Sequence, residues 1–396
     1  MRTVGIIAEY NPFHRGHAWQ LRQARALARA DAAVVVMSAC FTQRGEAALL
    51  SPADRARMAL LCGADAVFAL PALWSVRDAE HFALGGVSLL HALGVDAISF
   101  GAEAADVDLL WRAARLLEAP DERLKAALQE QLGRGLPYPA ALGAAVAALD
   151  PEAAALLASP NNTLAVCYLR AMLRLGSTMD VCPVPRQGAY HDTSLADGMP
   201  SATALRGAIL RGDWRGAERA MPGEAYAVLR EAALQGRLHR PEALDLPLLY
   251  RLRAMTEAER RALPDLSEGI DLRLLGAAEK ARTREELLLA AKTRRYPHAR
   301  LSRLCAHALL GIDAGLLAGT PLPPAAWLLG LQASARPLMA QLGRSGFPII
   351  AKAADADRSQ AWFQAELRAY DIWALGAGMP AGLALNMGVV RVDEPT

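Results

Sequence analysis

Two histidines near the start of the chain stand on either side of a glycine: His14, Gly16 and His17 follow an apolar run at residues 4–8. An imidazole can donate a hydrogen bond to a phosphate oxygen as negative charge builds up during attack on an α-phosphate. A glycine lets a phosphate approach the backbone closely, and the N-terminal end of a following helix attracts the same anion. This spacing therefore predicts a site that binds a nucleotide and catalyses attack on its phosphate.

The two histidines alone leave other interpretations open. Either ring could be an ordinary buried or surface group with no chemical role. A zinc site is not indicated, because no cysteine or third histidine lies nearby at the spacing of zinc ligands. We therefore predict no metal ion held by the protein itself.

A second group of polar residues follows much later in the chain, at Ser201, Thr203 and Arg206. Ser201 or Thr203 can cap a helix that begins here, and Arg206, about one turn further on, can reach the same anion. A hydroxyl cap followed by an arginine also occurs in ordinary helices. Combined with the histidines, it predicts a nucleotidyl-transfer site with His14, His17 and Arg206 as catalytic residues.

A basic segment lies in the last third of the chain, with Tyr296 and His298 among its cations. Its members are Arg273, Lys280, Arg282, Arg284, Lys292, Arg294, Arg295, Arg300 and Arg303. Such a segment can be a solvated helical face or a surface that contacts the phosphates of RNA. The residues themselves leave both interpretations open.

Alternating patterns in the first hundred residues indicate the elements that position these groups. Short apolar runs lie at 4–8, 32–37, 66–70 and 97–100, and helical patterns lie between them at 18–30, 52–62 and 79–93. This order predicts a parallel sheet with helical crossovers. Ligands of such sheets bind beyond the carboxyl ends of the strands, where His14, Ser38 and Gly101 fall.

Helical patterns dominate the rest of the chain. Residues 106–175 read as helices, with a helix start after Pro160 and Asn161 or Asn162 near its cap, and residues 181–184 and 348–351 read as short strands. We predict an α/β fold in which a Rossmann-like parallel sheet, the nucleotidyltransferase core, precedes a mainly α-helical C-terminal region. The predicted boundary separates a catalytic, ATP-binding domain at 1–212 from a mainly helical domain at 213–396.

Composition sets wider limits. The 396 residues suffice for two or three domains, and a net charge of +2 neither demands nor excludes a nucleic-acid partner. The five cysteines form no CxxC pair, which is typical of reduced thiols in a cytoplasmic protein. We expect no membrane partner, because charged or turn residues interrupt every apolar stretch well before ~20 residues.

Seven motifs resemble one family, the bacterial tRNA(Met) cytidine acetate ligases, an offshoot of the HxGH nucleotidylyltransferase superfamily. They are GIIAEYNPFHRGH at 5–17, FTQRGE at 41–46, GVDAISFGAE at 94–103, SPNN at 159–162, RQGAYH at 186–191, SATALR at 201–206 and KTRRYPHAR at 292–300. The resemblance implies that acetate attacks ATP to give acetyl-adenylate and pyrophosphate. The N4 amine of the wobble cytidine of elongator tRNA(Met) then takes the acetyl group, giving N4-acetylcytidine.

The resemblance also implies which residues bind each substrate. The ATP-binding set is Ile7, Ala8, Glu9, Tyr10, Asn11, Pro12, Phe13, His14, Arg15, Gly16, His17, Ala18, Trp19, Gln20, Gly101, Asn161, Arg186, Ser201 and Thr203. The tRNA-binding set is Lys292, Arg294, Arg295, Arg300 and Arg303. ATP is a substrate that we expect to arrive with Mg²⁺ on its phosphates. We expect no tightly bound cofactor and no covalent intermediate, because acetate is itself the nucleophile.

Two other functions compete with this interpretation. One is a small-molecule adenylyltransferase of the pantetheine-phosphate or nicotinamide-mononucleotide type, against which the long basic helical half argues. The other is a non-catalytic module that binds nucleotide or RNA, against which the pairing of His14 and His17 with Arg206 argues. The chain departs from the usual family residues at Arg15, Ala39, Cys40 and Ala69, near the expected acetate and cytidine pockets.

Overall fold

The computed structural model of the chain describes residues 1–136, 138–185, 201–267 and 269–393. The first half contains the strands β1 Thr3–Ala8, β2 Ala32–Ser38, β3 Ala66–Leu70, β4 Ala97–Ala102 and β5 Asp180–Pro185. Its helices are α1 Arg15–Ala28, α2 Pro52–Leu61, α3 Ala72–Ser75, α4 Ala79–Ala92, α5 Val107–Glu118, α6 Glu122–Gly133, α7 Tyr138–Leu149, α8 Pro151–Leu157 and α9 Pro160–Leu175.

The second half is mainly helical but also contributes strands. Its helices are α10 Ala202–Leu210, α11 Trp214–Ala220, α12 Gly223–Leu234, α13 Asp245–Ala254, α14 Glu257–Arg261, α15 Ile270–Lys280, α16 Arg284–Ala291, α17 His298–Leu310, α18 Ala314–Gly319, α19 Arg336–Leu342, α20 Ala361–Gly376 and α21 Leu383–Asn386. Its strands are β6 Ala326–Gln332, β7 Ile349–Ile350 and β8 Val390–Val392.

The first five strands form the predicted parallel sheet, in the order β5-β4-β1-β2-β3. β1 lies between β4 and β2, so its carboxyl end and the turn that follows open at the centre of the sheet. The strands β1 to β4 are apolar and almost completely buried, as expected when helices cover both faces of a parallel sheet. The predicted α/β fold is confirmed.

The strand β6 was not anticipated, because residues 326–332 lie within a long stretch that reads as helical. It pairs antiparallel with β3, aligning Leu328 with Phe68 and Trp327 with Ala69, and β7 and β8 each pair parallel with it. The predicted late strand at 348–351 is therefore present as β7. The sheet does not follow the predicted boundary at residue 212, because three strands from beyond it complete the same sheet.

The described residues form two hydrophobic cores. The larger one surrounds the sheet and includes residues of the last quarter of the chain, such as Trp327 and Trp373. The smaller one is built by α13, α15, α16 and α17, with Leu249, Ile270 and Leu301 at its centre. We call residues 245–310, which contain α13 to α17, the helical unit. It carries the whole basic segment.

Candidate functional site

The turn after β1 brings the two histidines together. His14 is the N-cap of α1, and its Nδ1 accepts a hydrogen bond from the Gly16 N–H at 3.1 Å. The His17 Nδ1 accepts from the His14 N–H at 3.2 Å, and the two rings stack with centroids 3.7 Å apart. Because each Nδ1 accepts from a backbone N–H, the hydrogen of each neutral ring lies on Nε2, where it can be donated.

Aromatic side chains fix the position of the His17 ring. Tyr10 and Phe13 are buried and lie with their centroids 4.8 Å and 5.5 Å from that ring. They also contact each other edge to face, with centroids 4.7 Å apart. Phe13 therefore supports the site from behind and does not face a ligand.

A cavity of about 840 Å³ opens at the carboxyl end of the sheet, next to the histidines. The predicted catalytic residue Arg206 lines it, as do most of the residues predicted to bind ATP: Ile7, Ala8, Glu9, Tyr10, Asn11, His14, Gly16, His17, Trp19, Gln20, Gly101, Asn161, Ser201 and Thr203. The volume is within the range of ordinary small-molecule sites. Residues that are distant in sequence therefore meet in one cavity.

Four members of the predicted set do not line this cavity. Pro12, Phe13 and Ala18 are buried in the protein, and the exposed Arg15 donates from its Nε to the Met221 carbonyl at 3.3 Å. Not every residue of the stretch 7–20 can face a ligand, because side chains alternate between the two faces of a strand and point in successive directions around a helix. Arg186 and the motif at 186–191 lie outside the described residues.

Arg206 reaches the cavity from the start of α10. Ser201 is the N-cap of that helix and accepts from the Ala204 N–H at 3.2 Å. The Arg206 guanidinium donates to the Asn11 carbonyl at 2.8 Å, and it contacts the Glu46 carboxylate at 3.3 Å. The second predicted element thus meets the first, since Asn11 belongs to the turn that carries the histidines.

A loop at residues 41–47 forms another wall, and we did not assign it a role from the sequence. Thr42, Gln43, Arg44 and Glu46 line the cavity. The Gln43 N–H donates to the Glu9 carboxylate at 2.7 Å, and burial raises the pKa of that carboxyl. The cavity therefore combines two carboxylates with the cations of Arg44 and Arg206. In the sequence, the FTQRGE motif at 41–46 marked this loop as part of the family resemblance but did not indicate which of its residues reach the cavity.

The helix α9 presents its first turn to the cavity, as the SPNN motif suggested, but a residue that directly follows β4 caps it. The Glu103 carboxylate accepts from the Asn162 N–H at 2.9 Å and from the Asn161 side chain at 2.5 Å. Burial raises the pKa of Glu103, but these hydrogen bonds outweigh it and lower the pKa overall. Asn162 is buried and its side chain accepts from the Glu103 and Ala104 N–H groups, which leaves Asn161 on the cavity wall.

Arg55, on α2, supports the floor of the site and was also missed. Its guanidinium is fully buried and donates to the carbonyls of Glu9 at 2.7 Å, Ser38 at 2.8 Å and Leu50 at 3.2 Å, and to the carbonyl of Ala39. Burial lowers its pKa to about 10. It ties the ends of β1 and β2 together, and nothing about a single arginine in a helix could have indicated this from the sequence.

The residues predicted to bind tRNA fall into two groups. Lys292, Arg294 and Arg295 are exposed in the connection between α16 and α17. Arg300 donates to the Asp265 carbonyl at 2.6 Å and to Ser267 at 2.8 Å. Arg303 is largely covered, and burial lowers its pKa. Contacts within the protein therefore account for Arg300, and burial accounts for Arg303.

Within the described ranges, no group of three or more His, Cys, Asp or Glu side chains is placed to hold a metal ion. In the same part of the chain, no helix combines the length and the apolar character needed to cross a bilayer. Cys40, Cys62, Cys167, Cys182 and Cys305 are free thiols.

Comparison with known proteins gives a consistent result. Residues 1–381 match the model of the HIGH Nucleotidyl Transferase family. A tRNA(Met) cytidine acetate ligase of Syntrophotalea carbinolica is 40% identical over 80% of this chain and 76% of its own length. One of Bacillus licheniformis is 31% identical over 100% of this chain and 98% of its own length.

Solved structures agree with the sequence relatives. The crystal structure of Thermotoga maritima TmcAL in its apo form superimposes with a TM-score of 0.93 at 26% identity, covering 99% of this chain and 100% of that one. The same protein bound with alpha-thio ATP superimposes with a TM-score of 0.89 at 25% identity and the same coverage. The chain therefore belongs to the HIGH nucleotidyl transferases and, within them, to the tRNA(Met) cytidine acetate ligase family.

Proposed function

We propose that this protein is an ATP-dependent acetate ligase that acetylates N4 of the wobble cytidine of elongator tRNA(Met). Membership of the family supports the overall reaction. The observation in the structure that carries the proposal is the meeting of three groups at one cavity: the stacked His14 and His17 rings and the Arg206 guanidinium. The ATP-analogue complex of the Thermotoga maritima protein supports ATP as the nucleotide.

The first step joins acetate to the nucleotide. An acetate oxygen attacks the α-phosphorus of ATP, a new P–O bond forms, and the bond to the β-phosphate oxygen breaks to release pyrophosphate. Both reactants are anions, so the step needs donors and positive charge where the charge develops. His14 and His17 can supply Nε2–H donors, Arg206 can supply a cation, and the α1 N-terminus adds its partial positive charge.

The second step transfers the acetyl group. The N4 amine of cytidine attacks the carbonyl carbon of acetyl-adenylate, the C–O bond to the phosphate breaks, AMP leaves and the amine loses a proton. No enzyme nucleophile is needed. The thiols support this: burial raises the pKa of Cys62, Cys167 and Cys305 to about 12, and burial raises that of Cys40 and Cys182 as well, so all five are poor nucleophiles.

The residues of this site fit a Mg²⁺ ion that enters bound to ATP, and not one that the protein holds by itself. Glu9 and Glu46 supply carboxylate oxygens in the cavity, but Gln43 already occupies one of them and Arg206 contacts another. A Mg²⁺ ion that keeps several waters and is bound through the phosphates needs only one or two carboxylates. When bound, it would neutralise charge on the departing pyrophosphate.

For the tRNA we propose a contact surface made by Lys292, Arg294 and Arg295. Their exposure supports this role. We leave Arg300 and Arg303 out of the proposed surface, because Arg300 is bonded to Asp265 and Ser267 and Arg303 is largely covered. Cationic side chains at a surface bind phosphates without sequence preference, so this surface would position the tRNA while other residues select the cytidine. We also propose a cytoplasmic location, where tRNA is available and the five thiols stay reduced.

The test incubates purified protein with ATP, acetate and elongator tRNA(Met), followed by mass spectrometry of the digested nucleosides. We expect N4-acetylcytidine that requires both ATP and acetate, with a tRNA whose wobble base is not cytidine as the matched control. If ATP is converted to AMP and pyrophosphate without acetylation of the tRNA, the proposed adenylation site is retained and elongator tRNA(Met) is rejected as the acceptor. If pyrophosphate is released with pantetheine phosphate or nicotinamide mononucleotide but not with acetate, the protein is a small-molecule adenylyltransferase and the proposed ligase function is refuted.

A further inference from the structure

The loop at 41–47 belongs to residues 1–212, which we call the catalytic half. It is held from outside that half, by the helical unit. Arg284, at the start of α16, donates to the Gly45 carbonyl at 3.2 Å and to the Ser302 hydroxyl at 2.5 Å. Ser302, buried in α17, donates to the Arg44 carbonyl. Arg284 is one of the cations of the basic segment, but its guanidinium is bonded to this loop. A contact inside the protein therefore explains why an arginine stands at this position.

The approach of the loop to α17 is close enough to require a glycine. Gly45 has φ +71°, a conformation that side-chain-bearing residues rarely adopt. A Cβ at this position would lie 2.6 Å from the Ser302 carbonyl oxygen and 2.7 Å from the Arg303 nitrogen, both backbone atoms. The glycine therefore allows the tip of the loop to lie directly against the helix.

The opposite side of the loop contacts the reacting groups. The Gln43 N–H holds the Glu9 carboxylate at the end of β1, and Glu46 contacts the Arg206 guanidinium. Within the loop, the Thr42 N–H donates to the Glu46 carbonyl at 2.9 Å, so its two sides are bonded to each other. A continuous set of contacts thus runs from α16 and α17 through the loop to Arg206.

We propose that Arg284 and Ser302 are positioning residues of the adenylation site, acting through the loop at 41–47. This inference rests on the proposed function, in which Arg206 stabilises charge on the phosphates. The helical unit holds the loop, the loop holds Glu46, and Glu46 directs the guanidinium toward the cavity. The exposed Lys292, Arg294 and Arg295 lie between the two helices that carry the positioning residues, so the tRNA surface and the adenylation site share these elements.

The test compares acetate-dependent exchange of ATP with labelled pyrophosphate in the absence of tRNA. The double variant Arg284→Ala with Ser302→Ala should lose at least about tenfold in kcat, while KM for ATP changes by less than about threefold, because the misplaced Arg206 acts on the transition state. Arg284→Lys should recover part of the rate, since an ammonium can donate to the Gly45 carbonyl. The matched control is Arg261→Ala, which removes an exposed arginine of the same unit that pairs with Glu257.

Hydrogen exchange gives a second readout that does not depend on catalysis. The amides of residues 41–47 should exchange faster in the double variant and not in the Arg261→Ala control, while those of β1 to β4 stay protected. The positioning role is refuted if the double variant keeps the wild-type kcat for pyrophosphate exchange, or if the loop amides keep their wild-type rate of hydrogen exchange. If wild-type protein shows no pyrophosphate exchange with acetate, the proposed function fails, and hydrogen exchange alone still decides whether the helical unit holds the loop. Should the double variant not fold, Ser302→Ala alone removes a single hydroxyl and serves the same comparison.

Discussion

The buried carboxyl of Glu366 predicts a specific dependence of stability on pH. Glu366 lies on α20 beneath the sheet and is 0% exposed. One carboxyl oxygen accepts from the Ala72 N–H at 2.5 Å, and the other has no hydrogen-bond partner among the described residues. Burial raises the pKa of this group from 4.5 to about 8, although the Ala72 hydrogen bond opposes the shift. The folded protein therefore keeps the group protonated at neutral pH.

The magnitude follows from the linkage between proton binding and unfolding. Below pH 4.5 the carboxyl is protonated in both the folded and the unfolded chain, so it has no pH-dependent effect on stability. As the pH rises from 4.5 toward about 8, the unfolded chain loses its proton first, and this favours unfolding. A shift of one pKa unit corresponds to about 1.4 kcal/mol, so the protein loses roughly 5 kcal/mol of stability across this window and no more above it.

The assay measures urea unfolding of the wild type and of Glu366→Gln at pH 5, 6, 7 and 8. The amide carbonyl of glutamine can still accept from Ala72, but the side chain does not titrate. We expect the stability of the variant relative to the wild type to grow by roughly 3 kcal/mol or more from pH 5 to pH 8. Glu122→Gln, whose side chain is 89% exposed, is the control and should show no such trend. A difference that stays constant over this range refutes the reasoning, because the carboxyl would then be ionised in the folded protein.

Two further predictions concern the proposed reaction. His14→Ala removes one Nε2–H donor, so acetate-dependent pyrophosphate exchange should fall by about a hundredfold or more. The affinity for tRNA, measured by filter binding, should stay unchanged. If the variant keeps the wild-type exchange rate, His14 is not a catalytic residue. Arg294→Ala combined with Arg295→Ala should weaken tRNA binding and reduce the slope of log K against log salt by about 1.5, as expected for two lost phosphate contacts, and leave pyrophosphate exchange intact. An unaltered salt slope would exclude both arginines from the interface.

The catalytic half was predictable because its signals are local. A buried strand, the turn that carries His14 and His17, and the start of a helix follow one another within twenty residues. The parallel order then brings the carboxyl ends of β1 and β4 to the same edge without further information. Arg206 was found in the same way, since Ser201 marks the start of its helix.

Other features depend on contacts between distant residues, and the sequence alone could not show them. A short apolar run such as 326–332 fits a buried helix as well as a strand, and only its pairing with β3 decides between them. Charge likewise does not indicate exposure. Arg294 faces solvent, whereas Arg284 contacts the loop at 41–47 and Arg55 lies beneath the strand ends.

The pairing of β3 with β6 has a consequence for the synthesis of the protein. Residues 66–70 leave the ribosome more than 250 residues before their antiparallel partner at 326–332 has been made. Until then, one edge of a strongly apolar strand has unpaired N–H and C=O groups that can pair with another nascent chain. The catalytic half is thus complete in sequence long before its sheet can close. A shortened chain that ends at residue 212 would retain this open edge permanently, and we expect it to associate with itself instead of acting as an independent enzyme.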